Sequence, residues 1–347
     1  MESGFIQQYY FESADSLLRA INYGGELYGF LNRHMIYRGH YSKKYQLVPV
    51  ALRDGGLDRF QSTRDLTDER VFLASQLEFV QMMSEYQLLH KFYNLCDRHH
   101  LKVPDCPRLR DGLVKGYDPY AFIVRENWLP KEFWEVAALA QHYGVPTRLL
   151  DWTYNINTAL YFAVKDFIKP LTTKEQLLRT EFLFKNRGKI DEPLCEIWAL
   201  DTTVVVTREG RHPLELIRPP YNGNPNLAAQ EGVFTLWSLL KPVHIEQGKW
   251  KFDMTLKDDT PLDMLLVKKL GELKVDERPY LYRISFPQKA SVEIYQYLKQ
   301  IGHTAAKLFP GYDGVTIAMK EDTTFDEKNS ELMVPQKTDP VEIEKNK

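Results

Sequence analysis

Residues 138–164, ALAQHYGVPTRLLDWTYNINTALYFAV, hold the densest mixture of polar and aromatic groups in the chain. Both ends have the apolar spacing of buried helix. Gly144, with Pro146 two places on, is a stop signal for the first helix. The second helix begins near Asn155 and turns Ile156, Ala159, Leu160, Ala163 and Phe167 inward. Residues 144–154 therefore read as a connection between two packed helices. Within one turn, Arg148 and Asp151 are placed to form a local ion pair, Thr147 to cap the turn after Pro146, and Trp152 to act as a buried wedge. That account leaves Gln141, His142, Tyr143 and Thr153 unexplained. His142 alone of these exchanges a proton near neutral pH. The residue types leave two readings open, a ligand pocket and a scaffold.

On the N-terminal side, residues 13–22 form a helix capped by Ser13, and residues 34–42 a β-prone run broken by Gly39. A long helix covers 69–96, its stripe made by Leu73, Leu77, Val80, Met83, Tyr86, Leu89, Tyr93 and Cys96. On the C-terminal side, CEIWALD, TVVVT and PYLYRISFP read as strands, and 291–301 as a helix. LFPGYDGVTIAM reads as a turn and final strand. Helices first and strands later predict an α+β fold, a helical N-terminal half packed on a small, mostly antiparallel sheet. One domain is expected over 1–320, with an insertion at about 169–193. Residues 321–347, polar and charged, are expected to be a disordered tail.

Bulk properties exclude several classes. The 347 residues are 44% hydrophobic with a net charge of −2, so no bulk charge draws nucleic acid or a membrane surface. No apolar run approaches the roughly 20 residues of a membrane span. The first residues, MESGFIQQYYFESADS, lack the basic and apolar regions of a secretory signal, and three cysteines fit a reducing compartment. A cytoplasmic protein is expected. Phosphate-loop, dinucleotide-fold, HExxH and GxSxG signatures are absent from the sequence. Cys96, His99, His100 and Cys106 fit no standard zinc module, so no metal site is expected there.

Two further clusters stand apart. In Tyr37-Arg38-Gly39, an arginine on a short strand can offer its planar fork to phosphate or carboxylate, with close backbone approach at the glycine. Gln230 and Glu231 precede a glycine and a β-prone run, at a strand entrance. A solvated strand end and a solvated turn are the plainer alternatives.

Taken together, YRGHYSKKYQLVPVALR, the 138–164 segment, NLAAQEGVFT and LFPGYDGV resemble the FRG domain, a mostly bacterial family named for its Phe/Tyr-Arg-Gly motif. The order Arg38, Thr153 before TALYFA, then Gln230-Glu231 is also similar to the arrangement in ADP-ribosyltransferases. That second resemblance implies NAD as substrate, in a bacterial defence or toxin context, with a macromolecular acceptor. It assigns catalysis to Arg38, His142, Asp151 and Glu231, and nucleotide contacts to Tyr37, Arg38, Gln141, Tyr143, Arg148, Thr153 and Gln230. The motif departs from those enzymes at Asp151-Trp152-Thr153 and at Gln230-Glu231-Gly232, where the acid stands one place early. A non-enzymatic ligand-sensing or interaction domain is the competing expectation.

Overall fold

The computed structural model describes residues 4–31, 34–60, 77–111, 127–169, 193–206, 213–222, 224–238, 243–246, 249–252 and 259–333. The fold is α+β. Seven strands, β1 (Ile6–Tyr10), β2 (Met35–His40), β3 (Leu149–Thr153), β4 (Leu194–Asp201), β5 (Leu214–Ile217), β6 (Gly232–Trp237) and β9 (Leu281–Pro287), form one sheet in the order β1-β9-β4-β2-β3-β6-β5. Only β1 against β9 is parallel among these pairs. A separate hairpin joins β7 (Val243–Glu246) to β8 (Lys249–Phe252).

Among helices of eight residues or more, α1 (Ala14–Ile21), α2 (Leu77–Arg98), α3 (Trp134–His142), α4 (Ile156–Ile168), α5 (Leu262–Leu273), α6 (Ser291–Gln300) and α7 (Tyr312–Met333) surround the sheet. Ser13 caps α1 through the Ser16 amide. Gly144 follows α3 at φ +86°, the left-handed turn that its position requires. Alternation along the strands sets out the layers. Tyr37, Ala199, Ile197 and Ile284 pack with α1, α4 and α6 over the β2-β4-β9 half. Leu149, Phe234, Leu236 and Ile217 pack with α2 and α3 over the β3-β6-β5 half. On the opposite face Ile36, Leu150, Trp152, Trp198 and Leu281 meet α5.

Several sequence expectations are corrected. Leu149–Thr153 is not a connection but the central strand β3; helices and α5 cover both its faces, so no apolar–polar alternation marks it. Trp152 is buried, but within the sheet face, where its Nε1 donates to Thr235 Oγ1 at 2.8 Å. Thr202–Val206, which covers most of TVVVT, is a 3-10 helix rather than a strand. The final strand is absent: Val315, Ile317 and Met319, which alternate in sequence, are exposed on α7. This helix also carries the chain to Met333, into the segment expected to be disordered. It is docked by Glu321, which accepts from Tyr161 Oη at 2.5 Å and Tyr295 Oη at 3.2 Å, and by buried Phe325. The start of the long helix before Leu77, most of the 169–193 insertion and residues 334–347 lie outside the described residues.

Candidate functional site

The sheet is not continuous at its centre. Strand β2 pairs with β4 from Met35 opposite Asp201 to His40 opposite Glu196, and β3 pairs with β6 along its length. Between β2 and β3, among the described residues, one pair forms, Tyr37 opposite Thr153. Beyond it the strands part, and the Arg38 guanidinium spans the gap, its Nη1 donating to the Asp151 carbonyl at 2.7 Å. The two helical groups on one face also separate here. Asp151 is thus the one exposed residue of an otherwise buried strand.

A cleft of about 900 Å³ opens at this fork, a size typical of small-molecule sites. Its lining comes from both faces of the sheet. One arm has Tyr37, Gly39, Thr158, Phe162, Lys165 and Phe309; the other has Arg38, His40, Tyr45 and Arg53. Phe162 and Phe309 meet edge to face, with centroids 6.3 Å apart, giving the first arm an aromatic wall. Lys44, Asp54, Asp166 and Asp259 add charges of both signs. Among the described residues, no group of three or more His, Cys, Asp or Glu side chains is gathered as a metal ion needs.

Arg38, 16% exposed in its side chain, is held on two sides. Its Nε donates to His40 Nε2 at 2.9 Å, and its Nη1 lies 3.5 Å from Asp151 Oδ2 as well as reaching the carbonyl. Asp151 Oδ1 accepts from Gln141 Nε2 at 2.9 Å. The same Gln141 nitrogen donates to the Leu149 carbonyl at 3.0 Å, and its oxygen accepts from Thr147 Oγ1. Gln141 therefore braces the end of α3 against β3 and aims Asp151. His142 lines the cleft with a buried Nε2 that has no partner among the described residues. Burial lowers its pKa, and Asp151 opposes the shift. Burial also lowers Lys165, against Asp166. It lowers Arg53 too, where the like charge of Arg38 adds to the effect.

Seven of the sequence-selected residues line the cleft: Tyr37, Arg38, Gln141, His142, Asp151, Thr153 and Gln230. Thr153 Oγ1 donates to the Gln230 carbonyl and accepts from the Asn155 amide, closing the bottom of the fork. Gln230 Nε2 donates to the Leu308 carbonyl at 3.1 Å. The other three lie elsewhere. Tyr143 is 61% exposed outside the lining. Glu231, at φ +49°, accepts from Asn155 Nδ2 at 2.8 Å and is also outside it.

Arg148 is buried and makes no pair with Asp151. Its Nε reaches Glu85 Oε2 at 2.7 Å, and its Nη2 reaches Glu85 Oε1 and Glu78 Oε1, both at 2.9 Å. Burial works against its charge, but the two carboxylates outweigh it and raise its pKa. Gly39 lines the cleft and has a packing role as well. A Cβ there would fall 1.9 Å from the Ala159 carbonyl oxygen, so the glycine admits α4.

Sequence reasoning passed over His40, Lys165, Phe162 and Phe309. Period two from Arg38 points to His40, and helical spacing through Thr158, Phe162 and Lys165 marks one face of α4.

Residues 33–170 match the FRG domain family. No curated protein and no solved structure matches the chain. The matched segment supplies β2, β3 and α4, whereas their sheet partners β4 and β6 come from beyond it. No helix among the described residues is long and apolar enough to cross a membrane.

Proposed function

With an FRG domain at residues 33–170 as the premise, we propose that this chain handles a nucleotide, NAD, in the cleft. It breaks the nicotinamide–ribose bond and passes ADP-ribose to a macromolecular acceptor or to water. The carrying observation is the convergence of Arg38, Asp151 and His142 on one cleft at the fork of the sheet. A guanidinium suits the nucleotide's phosphates. A carboxylate suits the positive charge that develops on ribose as the bond breaks. The bonding pair leaves with nicotinamide, the acceptor attacks the ribose carbon, and neutral His142 takes the acceptor's proton. Glu231 lies outside the cleft lining and accepts from Asn155, so the carboxylate role passes to Asp151, which lines it.

The engagement of both Asp151 oxygens, by Gln141 and Arg38, favours a second reading, a sensing domain that binds the nucleotide without turning it over. Calorimetry with NAD, followed by incubation of labelled NAD with lysate, separates the two. Under the first reading the wild type binds and labels an acceptor or releases nicotinamide, and Arg38→Ala and Asp151→Ala do not. Binding without product supports the second. No binding by the wild type, with Arg38→Ala indistinguishable from it, ends both.

A further inference from the structure

Phe162, Lys165 and Phe309 have no part in the reaction above, yet they form an aromatic wall of the cleft. Phe162 and Lys165 stand on one face of α4, with Thr158 a turn earlier. Phe309 comes from the far end of the chain, just after the short helical turn Ala305–Leu308. Side-chain bonds hold that turn against the cleft. Gln230 Nε2 donates to the Leu308 carbonyl at 3.1 Å. Lys307 Nζ lies 3.2 Å from His303 Nδ1, and an ammonium has no lone pair, so the imidazole proton is on Nε2. That Nε2 donates to Thr158 Oγ1 at 3.0 Å. Phe309 is thereby fixed against Phe162, edge to face at 6.3 Å and 87°. Both rings are half-buried, packed on the core and lining the cleft. Rings at right angles make a corner: a flat ring that lies on one meets the other with its edge.

Lys165 decides what kind of ring fits. Its Nζ lies 4.8 Å from the centre of the Phe162 ring and makes no hydrogen bond or ion pair among the described residues. Burial, the largest influence, lowers its pKa; Asp166 and Glu321 oppose the shift, and Lys169 adds to it. Glu321 is itself engaged by Tyr161 and Tyr295. The ammonium therefore faces the cleft as a donor without an acceptor. Net charge does not select an anion for it. Among the lining residues Arg38, Lys44, Arg53 and Lys165 are matched by Asp54, Asp151, Asp166 and Asp259. An aromatic corner with one donor beside it favours a neutral flat ring that carries acceptor nitrogens. A cationic ring in the same place would meet the ammonium.

We propose that Phe162, Phe309 and Lys165 form a base subsite: the two rings hold a neutral purine by stacking and edge contact, and the ammonium donates to an acceptor nitrogen in the plane of the base. A purine has acceptor nitrogens on both of its fused rings, so it can fill the corner and still present one to Lys165. The subsite does not depend on cleavage of NAD. Where the nucleotide reading holds, it sets the direction of the ligand, with adenine in this arm and the cationic nicotinamide ring towards Asp151.

The test uses the full chain, with phenylalanine protonated in an otherwise deuterated protein. The probes are adenosine, cytidine and nicotinamide methylated on its ring nitrogen, a cation. Saturation of the phenylalanine ring protons should pass to the adenine ring protons. Calorimetry should show adenosine binding about 10-fold more tightly than the cation. In Phe309→Leu, which keeps apolar bulk but loses the flat face, adenosine should bind about 10-fold more weakly; the urea midpoint shows whether this variant is folded. Lys165→Met should weaken adenosine and bring the cation's affinity up towards it. Unchanged adenosine binding in either variant, no transfer to the base, or no adenosine binding by the wild type overturns the proposal. Cytidine or the cation binding as tightly as adenosine does so too. If Phe309→Leu does not fold, the transfer in the wild type and Lys165→Met decide. Adenosine held by Phe309 with no binding of NAD leaves this subsite standing and removes the NAD reading. NAD cleavage unaltered in Phe309→Leu does the opposite.

Discussion

Replacing Arg148 with methionine separates what holds β3 in place from what the cleft does. The side chain is 2% exposed, and its partners Glu78 and Glu85 hardly more. Three charge-assisted hydrogen bonds link it to the two carboxylates. Methionine refills most of the volume, so the cavity contribution is small. What remains is a pair of buried carboxylates without their cation. Glu85 retains donors in Trp128 Nε1 and Gln81 Nε2, both at 2.8 Å, which limits the penalty there. Breaking such a buried set from one side costs about 3–5 kcal/mol, a large part of the roughly 5–15 kcal/mol that holds a domain folded.

Urea unfolding followed by tryptophan fluorescence should show the midpoint of Arg148→Met falling accordingly. A triple variant that also converts Glu78 to leucine and Glu85 to glutamine, whose oxygen can still accept from Trp128 Nε1, should regain most of it, because no buried charge is left stranded. Arg38→Ala provides the contrast, with NAD binding lost and a smaller fall in the urea midpoint, because it strands the neutral acceptors His40 Nε2 and the Asp151 carbonyl rather than two buried carboxylates. A loss below about 1 kcal/mol for Arg148→Met, or a triple variant no more stable than the single one, would refute the reasoning.

Gly39→Ala should lower the melting temperature, since its Cβ meets the Ala159 carbonyl and α4 must retreat at a cost of at least about 1–3 kcal/mol; an unchanged melt contradicts the packing argument. The His40 pKa falls from 6.5 to about 3 on folding. A depressed folded pKa gives stability that is present above the unfolded value and lost as pH falls through the folded one. The wild-type urea midpoint should therefore decline between pH 6.5 and about 3, by at most about 1.4 kcal/mol per pH unit from this group, and more shallowly in His40→Gln. A fragment of residues 33–170 keeps β2 and β3 but loses β4 and β6, the strands with which they pair most extensively. It should show no cooperative unfolding, and a sharp transition would show that the matched segment folds alone.

What was legible in the sequence was local. Ser13 and Gly144 act on their own helix ends, and the inward face of α4 repeats within thirteen residues. What was not legible depends on distance along the chain. Arg148 lies three places from Asp151 but pairs with carboxylates 63 and 70 positions away. Nothing near Arg148 announces Glu85, and an ion pair with a neighbour is the natural local inference. Leu149 and Leu150 point to opposite faces, and both are buried. That covering of both faces erases the alternation by which a strand is recognised. In α7 the error runs the other way: Val315, Ile317 and Met319 alternate as strand residues do, but the contacts that hold this helix are Glu321 and Phe325.

The Tyr37-Arg38-Gly39 motif shows how a local pattern can be right about place and wrong about cause. On a strand, three successive residues face alternate sides, so they cannot serve one ligand in one way. Tyr37 enters the core beneath α4, and Gly39, on the same side, clears the space for that helix. Arg38, on the other side, bridges the gap to Asp151 and takes His40 as its second anchor. Tyrosine and glycine thus seat the helix that forms one wall of the cleft, and the arginine holds open the fork that forms its floor. A variant such as Tyr37→Phe should then change stability before ligand affinity. Arg38→Lys, which keeps the charge but cannot bond Asp151 and His40 together, should do the reverse.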